Sequence, residues 1–234
     1  MPHGVGVSRL NYVSGDLRDQ LAHVGHEVVR AGLVVGSGGN LSARPRGEDW
    51  CWVTAAGSWL DRLDRDCFVR VGLTDVEPES GGPMPGVVGD VPPTSELALH
   101  LATYRARPDV RAIVHLHPQS VLLLDALGER VRLVTTDHAF YLRRVAVVPF
   151  RLPGSIQLAE LAAATAVDGT NCLILRGHGC SVLADSVELA HKRAANLEEA
   201  ARLTYRALLA GGSDRLSEVP AEFLAHLDDD PSTV

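Results

Sequence analysis

The sequence predicts an α/β protein built as one domain, and two observations carry that expectation. Short apolar, often β-branched runs at Trp50–Thr54, Phe68–Val71, Val110–Val114, Val131–Val134, Val145–Val148 and Asn171–Leu175 alternate with segments of helical period. The 234 residues, 46% of them hydrophobic, suffice for one sizeable core, and no shift of composition marks a second domain. Residues 1–234 are therefore read as a single domain, with the ends 1–13 and 213–234 peripheral.

In chain order, Ser14 is placed to cap a helix whose Leu17, Leu21, Val24 and Val28 form one apolar stripe, closing near Gly32. The cluster Gly36-Ser37-Gly38-Gly39-Asn40-Leu41-Ser42 follows. Its backbone N–H groups suit an anion, and it equally reads as a turn into a strand. The strand Trp50–Thr54 breaks at Ala55-Ala56-Gly57-Ser58, a short turn or helix spans 59–63, and Phe68–Val71 is the next strand. Residues 74–93, with four glycines and five prolines, read as a loop. Thr94 or Ser95 then caps a helix beginning at Glu96, where Glu96 and His100, four apart, share a face.

Gln119–Leu127 is expected as a short helix closed by Gly128, and 135–141 as a polar and aromatic connection between strands. Pro153-Gly154-Ser155 opens a helix through Val167. After Asn171–Leu175, Asp185 with Glu188 makes a capping box for a long helix ending at Gly211-Gly212. The acidic tail at 228–231 is expected to fray.

A net charge of −7 and a pI near 5.8 argue against nucleic acid or an anionic membrane surface as the main partner, and leave room for a small anionic substrate in a local pocket. Cys51, Cys67, Cys172 and Cys180 form no Cys-x-x-Cys pair and read as free thiols of a cytoplasmic protein. The N-terminus carries no signal-peptide pattern, and no apolar stretch reaches transmembrane length.

The chemistry centres on His115-Leu116-His117, at the end of an apolar strand. Residues two apart on a strand face the same way, so the two imidazoles project side by side, as half of a metal site or as two solvated histidines. His178, between Gly177 and Gly179 at another strand end, supplies a third imidazole, and the glycines let backbone and ligand crowd together. Three imidazoles leave a coordination position open for substrate.

Taken in order, Gly39-Asn40-Leu41-Ser42, Thr54-Ala55-Ala56-Gly57, Pro93-Thr94-Ser95-Glu96 with His100, His115-Leu116-His117 and His178-Gly179 resemble the class II aldolase/adducin family. The resemblance runs from about Leu17 to Gly211. It implies a three-layer α/β/α domain around a largely antiparallel sheet, assembled as a homotetramer. It implies zinc, or another divalent ion such as manganese or cobalt, on His115, His117 and His178, with Glu96 as catalytic acid/base.

Gly39, Asn40, Gly57, Thr94 and Ser95 match positions that cradle a substrate phosphate, and His100 matches a supporting place beside the site. Asp137, His138 and Tyr141 are candidates to reach a neighbouring subunit's site, where the aldolases place a tyrosine. The implied activity is aldol cleavage of a small ketose phosphate, fuculose-phosphate-like, in carbohydrate metabolism, through a metal-stabilised enediolate. Decarboxylation of a hydroxy- or oxo-acid on the same site is the alternative, and a non-catalytic adducin-like binding module a third. One departure stands out: Ala55 and Ala56 replace the proline and the hydroxyl residue usual in the aldolases.

Overall fold

A computed structural model describes residues 12–74, 91–212 and 216–229. The expected Gly-rich start, most of the 74–93 loop and the last residues of the acidic tail lie outside them. Seven strands form one sheet in the order β3-β2-β1-β4-β7-β6-β5. They are β1 (Asn40–Ala43), β2 (Trp50–Thr54), β3 (Phe68–Gly72), β4 (Ala112–Leu116), β5 (Val145–Val148), β6 (Cys172–Leu175) and β7 (Gly179–Ala184). Every neighbouring pair is antiparallel except β5 with β6. The histidine strand β4 is the central strand of the seven and is paired along both edges, a firm platform for the imidazoles.

Strand alternation divides the core in two. On one face Leu41, Ala112, Val114, Leu116, Cys180 and Val182 pack beneath α1 (Leu17–Arg30), α3 (Gln119–Leu127), α4 (Thr136–Leu142) and α6 (Val187–Leu209). On the other, Cys51, Val53, Ile113, Leu173 and Leu183 pack against α2 (Leu97–Ala106) and α5 (Ile156–Ala166). The three layers match the expected α/β/α architecture. His115 has the parity of Ile113 and therefore points to the α2 side.

Several local expectations shift. The N-cap of α1 is Asp16, whose carboxylate accepts from Arg18 N–H, rather than Ser14. The N-cap of α6 is Ser186, accepting from Leu189 N–H, rather than Asp185. Residues 131–134 belong to no strand; Leu133 C=O instead accepts from Val219 N–H. The connection at 135–141 is mostly helix α4. The C-terminal segment includes a helix, α7 (Ala221–Asp229), with Leu227 buried. Among the described residues no helix is long and apolar enough to cross a membrane, and Cys51, Cys67, Cys172 and Cys180 are all free.

Candidate active site

Four chain segments meet at one end of the sheet. Asn40 opens β1 opposite His115, the penultimate residue of β4, and the tight β6–β7 hairpin brings His178 to the same end. Glu96 occupies the N-cap position of α2, which begins at Leu97, one residue later than expected, so that Glu96 rather than Thr94 or Ser95 is the cap. The chain turns there because Thr94 Oγ1 accepts from Glu96 N–H at 3.3 Å and Thr94 C=O from Leu97 N–H.

Two glycines are required by this crowding. Gly39 has φ +74°, and a Cβ there would lie 2.6 Å from the His115 carbonyl oxygen. A Cβ at Gly179 would lie 2.5 Å from the Leu116 carbonyl oxygen and 2.6 Å from His117 Cδ2. The hairpin itself is anchored from α3. Asp125, its side chain buried, accepts from Gly177 N–H at 2.8 Å and from Arg176 Nε at 3.2 Å.

The three imidazoles converge: each offers one nitrogen, and these nitrogens lie within 4.8 Å of one another. His115 Nε2 and His117 Nε2 are 3.2 Å apart. Two nitrogens bound at about 2.0–2.1 Å to one tetrahedral zinc would stand roughly 3.3 Å apart, so this spacing fits the ion. Burial, reinforced by the neighbouring imidazoles, lowers His117 to about 4, and it lowers His178 for the same reasons. Both are thus neutral donors at physiological pH, the form a metal needs. Nδ1 of His115 and of His178 is buried without a hydrogen-bond partner, so Nε2 is the nitrogen each histidine has engaged. The donor set fits a divalent cation.

Glu96 closes the group. Its Oε2 lies 2.9 Å from His115 Nε2, and its Oε1 3.3 Å from His178 Nε2. Burial pushes this carboxyl upward, but the hydrogen bond and charge of His115, then His178 and the Asn40 amide, outweigh it and hold the group down at about 2. The carboxylate is ionised beside the imidazole nitrogens.

The expected phosphate cradle is only partly as read. Thr54 ties its loops together: its Oγ1 accepts from Leu41 N–H, and its C=O from Thr94 N–H. Ala56 N–H donates to Pro92 C=O. Gly39, Gly57, Thr94 and Ser95 therefore belong to joined loops, and Gly57 and Ser95 are exposed. Asn40 is turned inward instead: its amide donates to Glu96 Oε2 at 2.9 Å and its carbonyl meets His100 Nε2.

His138 corrects another expectation. It is fully buried and serves its own chain, completing the α4 capping box with Thr135 while its Nε2 lies 3.3 Å from Glu199. Tyr141 lines a recess with Asp185 and Ser186, at the sheet end opposite the histidines. Ser42 and Tyr104, absent from the expected site, stand directly behind it. Only the hydrogen bonds that join Ser42 of β1 to His100 and Tyr104 of α2, remote in sequence, reveal them.

The sequence model of the class II aldolase and adducin N-terminal domain matches residues 19–205. The L-fuculose phosphate aldolase of Methanocaldococcus jannaschii is 34% identical over 176 residues, covering 75% of this chain and 88% of that protein. The 3,4-dihydroxyphthalate decarboxylase of a Terrabacter species is 30% identical over 221 residues, covering 82% of this chain and 92% of that protein. A solved structure of an L-fuculose 1-phosphate aldolase superposes with a TM-score of 0.78 at 25% identity, over 93% of this chain and 97% of that one.

Proposed function

This chain belongs to the class II aldolase and adducin family, and from that premise we propose that it is a divalent-metal-dependent cytoplasmic lyase that cleaves a small ketose phosphate by a retro-aldol reaction. The observation that carries the reading is the Glu96 carboxylate, ionised and within 3.3 Å of two of three converging imidazoles. An adducin-like binding surface has no use for that arrangement. His115, His117 and His178 would hold the ion, with zinc the expected metal. When bound, such an ion supplies Lewis-acid polarisation of the substrate carbonyl.

The chain's own residues supply the rest. Glu96 accepts the proton released from substrate and returns it to the carbon freed by cleavage. Backbone N–H groups around Gly39 and Gly57, with the Thr94 and Ser95 hydroxyls, offer donors to the substrate phosphate. Ala56 contributes no hydroxyl there, and Asn40 commits its side chain to Glu96. The cradle is accordingly weaker than five donors would make it. The active molecule is a homotetramer in which Tyr141 serves a neighbouring copy, since within its own chain it lies at the wrong end of the sheet.

A second reading, decarboxylation of a hydroxy- or oxo-acid, is favoured by that thinned cradle and by the similarity to the Terrabacter decarboxylase over 82% of the chain. One experiment separates them. The zinc-loaded enzyme is assayed for kcat/KM on matched phosphorylated and unphosphorylated ketoses, and for carbon dioxide release from a panel of hydroxy- and oxo-acids. Preference for the phosphorylated ketose, with kcat reduced about 10²–10⁴-fold in Glu96→Gln, is the expected outcome. Turnover of a carboxylate substrate alone would replace the aldolase with the decarboxylase.

A further inference from the structure

A buried polar chain runs back from Glu96, and its hydrogen bonds allow a single direction. An ionised carboxylate only accepts, so the Asn40 group 2.9 Å from Glu96 Oε2 is the amide NH₂. The Asn40 carbonyl oxygen then faces His100 Nε2, which must carry the ring proton. Nδ1 of His100 is left with its lone pair and accepts from the Ser42 hydroxyl, 2.7 Å away. Ser42 has given its one proton, so its oxygen accepts from Tyr104 OH at 2.8 Å. His100 and Ser42 have no exposure at all, and Asn40, Glu96 and Tyr104 are buried. In the reverse direction the Asn40 carbonyl would face the carboxylate, setting two acceptors against each other in a dry site.

We infer that Ser42 and His100 are positioning residues for the acid/base group: they lock the Asn40 amide with its NH₂ toward Glu96, and so hold that carboxylate turned to the imidazoles. Asn40 thereby moves from the substrate cradle to the back of the carboxylate. Tyr104 ends the chain and satisfies the Ser42 oxygen. The inference rests on the reading of Glu96 as the acid/base residue.

Neutron diffraction on the zinc-loaded enzyme tests the direction without any assay. The expected map has a proton on His100 Nε2 and none on Nδ1, with the Asn40 NH₂ facing Glu96. A proton on Nδ1, or a reversed Asn40, overturns the inference. Kinetics tests the consequence through Ser42→Ala, which removes the hydroxyl that donates to Nδ1. A poorly oriented acid/base group should lower kcat about ten- to a hundred-fold, with KM and zinc content unchanged, and Ser42→Thr, which keeps the hydroxyl, should recover most of it. Unchanged kcat in Ser42→Ala, or a loss confined to KM, defeats the positioning role. Full turnover in Glu96→Gln would instead sink the acid/base reading itself, whatever the neutron map showed.

Discussion

His100 has no contact with solvent, and burial drives its pKa down to about 3, with the charge of His115 adding to the fall and Glu96 opposing it. An unfolded histidine takes up its proton near pH 6.5. Between that pH and about 3 the unfolded chain therefore binds one proton that the folded chain refuses at His100, and stability must fall as pH falls. The slope from this residue is about 1.4 kcal/mol per pH unit, and His117, also lowered by burial, acts in the same direction. Urea denaturation of the metal-free protein between pH 6.5 and 5 should show that decline, and His100→Gln should flatten it. A level profile in the parent protein would contradict the account. At this scale the sequence was informative about His115, His117, His178 and Glu96, whose residue types and strand-end positions announce their chemistry, and misleading about His138. It gave no role to Ser42, which it showed only as the end of a motif, and did not mark Tyr104 at all. A serine and a tyrosine become interesting only when β1 and α2 bring them within 2.7–2.8 Å of a hydrogen-bond partner across about 60 residues of chain.

The elements explain why a short hairpin can carry a metal ligand. His178 sits in a turn of only three residues between Leu175 and Gly179, and its position depends on how firmly that turn is held. Asp125 reaches it from α3 with two hydrogen bonds. The N-terminus of α3, directly after His117-Pro118, is itself held by Glu198 of α6, whose buried carboxylate accepts from Ser120 N–H, Val121 N–H and the Ser120 hydroxyl. Removing Asp125 should loosen the hairpin without touching a ligand. Asp125→Ala is expected to weaken zinc binding about ten- to a hundred-fold, read by competition with a chelating dye, while far-ultraviolet circular dichroism stays the same. Parent-like affinity would show that the turn is rigid without it.

The long amphipathic helices and the β-branched strands were legible because their period is set by burial. Two strands and two helices, α4 and α7, were not, and residues 131–134 read as a strand that does not form. β1 is the four residues Asn-Leu-Ser-Ala, whose polar and apolar side chains alternate over too short a stretch to stand out behind a glycine cluster that reads as a turn. β7 begins with the glycine that the imidazoles require, and it disguises itself as the end of a turn. α4 is seven residues long and owes its start to a capping box between Thr135 and His138, too short for a helical stripe to show.

At the scale of the molecule, the histidines occupy one end of the sheet and the two cores lie along its faces, so the site contributes little to either. The layered architecture, the largely antiparallel sheet and the expected tetramer all came from the family resemblance that the ordered motifs carry, whereas the surfaces that would build a tetramer had no signature in the sequence. One such surface lies at the β5 edge, beside the site. Val147, Phe150, Leu152 and Ile156 are 43–70% exposed there, and the Phe150 ring would be the nearest atom to a Cβ on Gly177, next to His178. Apolar edges of this kind are usually covered by another chain. Light scattering at micromolar concentration should give a tetramer, and Phe150→Glu should shift it toward smaller species and lower activity together. A monomer with full activity would refute the shared site.

The spacing along α2 has a consequence of its own. Glu96, His100 and Tyr104 recur every four residues and meet the sheet along one line. One residue inserted or deleted between them would swing everything beyond it by about 100° around the helix axis. No single replacement could repair that. Length in this stretch is therefore frozen in a way that identity is not, and any drift of this enzyme toward new substrates must come from the loops that face α2 rather than from the helix itself.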